Sequence, residues 1–180
     1  MTDIHTTPPT LVAGDTFLHT TPLDPLAQPL LLDLEREYDE RYCTLFEHPG
    51  ADEINRYPAE VFTAPNGSFL LLLRGGSAIS GGAFMTIDKN AVEIKRVWTH
   101  PDHRGERLAR LVLAELEAEA SRRGFSEVVL STGPRQPEAV RLYLATGYEP
   151  QFDPTHDAET IVIHEFRKHL GSPIPSTGTR

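Results

Sequence analysis

The stretch "VWTHPDHRGERLARLVL", Val97 to Leu113, places Arg104, Arg107 and Arg110 where an apolar strand gives way to a helix. A helix start carries unpaired N–H groups and partial positive charge, so it ordinarily favours acids. Cations there can be offset by a bound anion held on the converging amides, phosphate above all. They can equally extend into water, where each unfavourable interaction is small. The spacing is neither G-x-x-x-x-G-K-[ST] nor G-x-G-x-x-G, so the common nucleotide fingerprints are absent. His100 and His103 lack the acidic or cysteine partners that would complete a ligand set, so no metal is expected. Cys43 is the single cysteine, which excludes an intramolecular disulfide and has no histidine at a nucleophile's spacing.

The elements that must carry these residues follow from periodicity. Asp24-Pro25 reads as a cap and first-turn proline. Behind it Leu26, Leu30, Leu34, Tyr38 and Tyr42, with Leu31 and Leu45 beside them, form one apolar stripe of a helix. "SFLLLLRGGSAISGGAFMTID" predicts two strands joined at Gly75-Gly76, with Gly81-Gly82 marking a bulge or a close backbone approach. A third strand runs from Ala91 to Thr99. The arginine-bearing helix follows, burying Leu108, Leu111, Val112 and Leu116 and ending at Gly124. Then come the strand "EVVLST", a helix from Gln136 to Thr146 stopped by Gly147, and strands around Tyr148–Phe152 and Ile161–Lys168. Strand–helix–strand from Ala91 to Ser131 requires a parallel pair with a right-handed crossover, and the short turns elsewhere require antiparallel pairs. The fold class is therefore α/β (α+β): a mixed, mostly antiparallel sheet flanked by helices. Residues 1–22 read as a largely extended segment leading into an edge strand, 23–170 as the domain, and 171–180 as a disordered tail.

The bulk numbers agree with one domain: 180 residues, 39% apolar, 24% charged. A net charge of −9 disfavours general binding to nucleic acid. No apolar run is long enough to span a bilayer and no signal peptide is visible, so no membrane partner is expected and a reducing cytoplasm is the simplest location.

"VEIKRVWTHPDHRGERLARLVL" resembles the strand, R/Q-x-x-G-x-G/A turn and helix of the GNAT superfamily of N-acyltransferases. "GPRQPEAVRLYLATGYEP" is similar to that family's late A-x-x-L-Y-x-x-x-G-[FY] segment, and the two occur in the family's order. The resemblance covers about Leu26 to Lys168 and implies acetyl-CoA as co-substrate, with no metal. It implies that Arg104, Gly105, Glu106, Arg107, Leu108 and Ala109 hold the pyrophosphate on backbone amides, and that Val97, Trp98 and Thr99 pair with the pantetheine arm. Tyr143 matches the tyrosine that protonates the leaving thiolate. Glu93 stands where some relatives carry the base that deprotonates the amine, whose pKa is otherwise near ~10.4. A Glu93–Lys95 ion pair or a water relay are the alternatives for that residue. Strand alternation would put Glu93, Lys95, Val97 and Thr99 on one face. Glu37, Tyr38 and Tyr42 of the first helix would contact the acceptor, a primary amine of a small molecule or peptide, and an acidic rim would suit a cationic one.

Two positions depart from the family pattern: Arg107 replaces a glycine, and Pro137 stands where asparagine is frequent. Residue 107 is read as a first-turn residue with negative φ, so arginine is permitted there if its Cβ points away from the ligand, and its guanidinium can face the phosphates. The implied activity is N-acetyl transfer by direct attack, without a covalent enzyme intermediate. The alternative is a non-catalytic binding or regulatory module with a drifted coenzyme A site. A homodimer is a common arrangement in such folds.

Overall fold

The computed structural model describes residues 10–42, 49–155 and 160–171. Cys43, Leu45 and the C-terminal segment lie outside the described residues. One seven-stranded sheet organises the chain, in the order β1-β2-β3-β4-β5-β7-β6. The strands are β1 (Asp15–Thr20), β2 (Gly67–Arg74), β3 (Ser77–Thr86), β4 (Ala91–Thr99), β5 (Glu127–Thr132), β6 (Glu149–Pro150) and β7 (His164–His169). The helices are α1 (Gln28–Tyr42), α2 (Gly50–Ile54), α3 (Leu108–Arg122) and α4 (Pro137–Ala145). Among the described residues only β4 and β5 are parallel, as the α3 crossover demands.

The sheet has a core on each face. Leu70, Leu72, Val92, Ile94, Val128 and Leu130 pack with α3, Tyr143 and Phe166. Phe69, Leu71, Ala83 and Trp98 pack on the opposite face with Leu30 of α1 and with Phe62. This explains the unbroken apolar run of β2, whose alternate residues feed different cores. Asp24 caps a 3₁₀ turn at Pro25–Ala27 that leads into α1, its carboxylate accepting from Leu26 N at 2.9 Å. Gly124, at φ 90°, closes α3 by donating to Ser121 O, while Phe125 N donates to Ala120 O. Of the four residues expected on the buried face of α3, Leu108, Val112 and Leu116 are buried and Leu111 is half-buried, and Leu113 and Ala120 join them.

The glycine pair in β3 serves both helices. A Cβ on Gly81 would lie 2.7 Å from Leu30 Cδ1 and 2.8 Å from Leu70 O, and one on Gly82 would lie 3.1 Å from Leu116 Cδ1. The pair also faces a bulge in β4. Register runs Ala83↔Lys95 and then Gly81↔Trp98, so Arg96 and Val97 together oppose Gly82. Arg96 takes φ 60°, a left-handed conformation unusual for arginine. The inserted residue reverses strand parity. Val97 therefore packs on the α3 core and Trp98 on the α1 core, which corrects the expectation that Glu93, Lys95, Val97 and Thr99 share a face.

Past the bulge the sheet opens. β4 pairs with β5 only from Ala91 to Ile94, leaving Lys95–Thr99 without a strand neighbour on that side among the described residues. The last strands are shorter than expected. Pro150 has no N–H to extend β6, and β7 begins at His164 rather than Ile161.

Candidate active site

Two surfaces meet at the opening between β4 and β5. The first is the loop that launches α3. The amides of Gly105, Glu106, Arg107, Leu108 and Ala109 find no protein acceptor among the described residues. Gly105 lies at φ 87° and Arg107 at φ 63°, so the chain turns twice through left-handed conformations before the helix starts at Leu108. Consecutive free amides in such turns make a concave anion site, and the helix dipole adds to it. An ideal Cβ on Gly105 would meet nothing within 4 Å, so this face of the loop is open. These amides fit a diphosphate.

The loop's side chains are placed less simply. Residue 107 is the cap before the helix and not part of its first turn, so the expected negative φ is replaced by a positive one. That is why this position suits glycine: an L-residue there carries a left-handed penalty. Arg104 is turned away from the helix axis and pairs with Glu37 of α1, so the cation cluster is partly answered by a carboxylate from another element. Arg107 and Arg110 make no ion pair among the described residues. Glu106 faces the other way, toward Arg74 at 2.8 Å and His103 at 2.9 Å, and Arg74 also holds Asp15 at 2.7 Å. The Arg74 guanidinium keeps the Asp15 and Glu106 carboxyls below their usual range. Glu106 thus offers the loop its backbone, while its carboxylate fastens the loop to β1 and β2. No group of acids, histidines or cysteines suited to a metal occurs among the described residues.

Tyr143 of α4 is buried in the α3-side core, the same cluster that holds Leu108 and against which Val97 packs. Its ring lies 5.4 Å from Phe166 and 5.9 Å from Tyr148. Burial pushes its hydroxyl well above the ordinary tyrosine range, so it keeps its proton at any working pH. Trp98 is a core residue whose Nε1 donates to Asp33 of α1 at 3.1 Å, and Ser80 donates to its carbonyl at 2.6 Å. Thr99 ends β4 with its hydroxyl 3.1 Å from that of Ser80.

The second surface is a cavity of about 690 Å³ on the α1 side. Glu37, Tyr38 and Tyr42 all line it, as do Lys95 and Arg96 of β4 and Ser131 to Gly133 at the end of β5. The α2 segment adds Asp52, Glu53 and Ile54, with Arg56 and Tyr57 after it. Burial raises the pKa of Tyr38 and Tyr42. The Tyr42 ring lies over Gly133, where a Cβ would come within 2.2 Å of its hydroxyl. Glu93 faces this side too, bound to Lys95 Nζ at 2.7 Å. The ion pair weighed from sequence is therefore formed.

Arg96, α2 and Gly133 had no assigned role at the sequence level. The one available signal for Arg96 was Gly81-Gly82 in the partner strand, which marks a bulge without saying which β4 residue it displaces.

Comparison with known proteins gives a consistent result. An "IAA acetyltransferase" of Azospirillum brasilense is 26% identical over 134 residues, covering 74% of this chain and 83% of that protein. An acetyltransferase structure from Streptococcus agalactiae superposes with a TM-score of 0.67 at 20% identity, covering 88% of this chain and all of that one. A GNAT acetyltransferase from Elizabethkingia anophelis, solved with acetyl-CoA bound, superposes at 0.60 with 15% identity over 88% of this chain and all of that one. The pattern of the acetyltransferase (GNAT) family itself matches residues 31–148, a span that runs from α1 past α4 and includes the loop before α3 and most of the cavity's lining, and the chain belongs to that family.

Proposed function

We propose that this protein transfers an acetyl group from acetyl-CoA to a primary amine of a small molecule or peptide. The observation that carries the reading is the row of free amides from Gly105 to Ala109 beside the unpaired edge of β4. The amides would hold the pyrophosphate, with Arg104, Arg107 and Arg110 around it. The pantetheine would lie along Val97, Trp98 and Thr99 as a strand lies against a sheet edge. Acetyl-CoA bound in a structure of the same fold supports the choice of cofactor.

In the reaction the amine nitrogen attacks the thioester carbonyl carbon, the C–S bond breaks, and the amine gives up a proton. A β4 backbone N–H near Val97 would stabilise the oxyanion. Tyr143, kept protonated by its burial, would give its proton to the departing thiolate. Glu93 is the base within the chain for the amine proton, directly or through water, with Lys95 holding its carboxylate. The acceptor enters by the α1-side cavity, against Glu37, Tyr38 and Tyr42. Calorimetric titration with acetyl-CoA tests the reading. Binding with a rise in Tm is expected, since a ligand of the native state must stabilise it. Neither heat nor a Tm shift at millimolar acetyl-CoA would refute it.

A further inference from the structure

Charges lining the α1-side cavity are matched almost one for one. Glu37 is held by Arg104 and lies 3.8 Å from Arg41. Glu53 lies 3.6 Å from Arg56, and Lys95 is bound to Glu93. Asp52 is exposed at the rim. Arg96 is the cation of the cavity that no carboxylate binds directly, Glu53 acting on it only from beyond ion-pair distance. It is largely buried, its guanidinium stacks 4.2 Å from the centre of the Phe62 ring, and it donates to the Ile54 carbonyl. No carboxylate comes within ion-pair distance of it among the described residues. Of its five N–H donors, one is used within the chain.

A guanidinium in that position is costly twice over. Desolvation lowers its pKa to about 10, the nearby Glu53 carboxylate offsetting part of that cost, so it remains charged at neutral pH with no carboxylate bound to it. Its backbone sits at φ 60°, where glycine would be easier. The β4 bulge that imposes this conformation also aims the side chain into the cavity, one residue before Val97. A planar fork with spare donors, desolvated on one side, matches a carboxylate in two parallel hydrogen bonds.

Resting on the acetyltransferase reading, we infer that Arg96 is an anion-binding residue of the acceptor site, and that the acceptor is an amine that also bears a carboxylate. Arg96 and the β4 edge where the thioester would lie border one cavity, so amine and carboxylate belong to one small molecule, of which amino acids are the simplest class. Tyr38, Tyr57, Leu34 and Ile163 supply an apolar and aromatic wall for the rest of the molecule.

The experiment is a rate comparison on matched acceptors: the common amino acids, their carboxamides, and the corresponding decarboxylated amines, with thiol release as readout. The wild-type protein is expected to favour at least one free carboxylate over its own amide by about thirtyfold or more in kcat/KM, the scale for a desolvated charge pair left unmatched. Arg96→Gly, which suits the left-handed backbone, is expected to bring that ratio to within about threefold of one. Arg96→Lys should restore part of it through charge without the fork. Equal rates for acid and amide, acetylation of amides or plain amines only, no acetylation of any acid, or a ratio unchanged in Arg96→Gly would each overturn the inference. The Tm shift with acetyl-CoA is measured on the same samples. Where it is present and the ratio fails, only the role of Arg96 falls. Where it is absent, the acetyltransferase reading falls with it.

Discussion

Replacing Arg107 with glycine should move stability and cofactor affinity in opposite directions. The residue sits at φ 63° and ψ 21°, just before the first turn of α3. An L-residue in that conformation costs roughly 1–2 kcal/mol. Glycine removes the cost but gives the unfolded chain back about 0.4–1 kcal/mol of entropy. The net gain is then about 0.5–1 kcal/mol, which for a chain of this length corresponds to a Tm rise of about 1–4 °C. The guanidinium is exposed and has no carboxylate partner among the described residues, so nothing in the fold offsets the gain. Acetyl-CoA affinity, measured by titration on the same protein, should fall by at most about tenfold, with a weaker dependence on salt because one screened charge is gone. Arg107→Ala separates the two effects. It keeps the backbone penalty and loses the charge, so affinity should fall alike while Tm stays near the parent. A glycine variant with an unchanged or lower Tm would refute the strain argument. Tighter acetyl-CoA binding by that variant would show the side chain to be an obstruction to the amides.

Two other outcomes follow from the buried and paired groups. Tyr143→Phe should lower kcat far more than it weakens acetyl-CoA binding, because a donor to the thiolate acts in the transition state; equal kcat values would return Tyr143 to a packing role. Asp15 and Glu106 have depressed carboxyl pKa values in the folded protein, chiefly through Arg74. Their contribution is therefore present above the ordinary values of 3.8 and 4.5 and is lost as pH falls through the lower folded values. Arg74→Met should lower Tm at pH 7 and flatten its decline in acid, and an unaltered Tm–pH curve would exclude that linkage.

The elements that the sequence announced most plainly are those whose ends carry a chemical stop. Ala91–Thr99 and Glu127–Thr132 appear with the bounds read from their apolar runs, and Gly124 caps α3 as expected. Gly75 and Gly76 turn the β2–β3 hairpin at φ 58° and 83°. Conformations that arginine adopts in place of glycine were not legible. Both Arg96 and Arg107 are left-handed, and an arginine in sequence gives no sign of it. The bulge at Arg96 consequently hid the change of parity that sends Val97 and Trp98 to opposite cores. The short α2 segment also escaped notice, since five residues show no helical period. Its placement depends on contacts from other elements, such as Gly50 N donating to Asp39 Oδ1 at 2.6 Å. The cavity's membership was legible only on α1, because residues from β4, β5, α2 and the approach to β7 converge there by topology alone.

A sheet that parts halfway along carries a hazard inside the molecule. The free half of β4 offers its backbone donors and acceptors to any extended chain, as an outer edge would. Its own irregularity guards it. A bulge twists the strand out of the flat geometry that a second protein chain would need, and Lys95 and Arg96 stand beside the gap as charges that an aggregating segment would have to desolvate. That geometry disfavours pairing with a flat strand of another chain. The irregular residue sets a barrier to edge-to-edge pairing at the open half of the sheet.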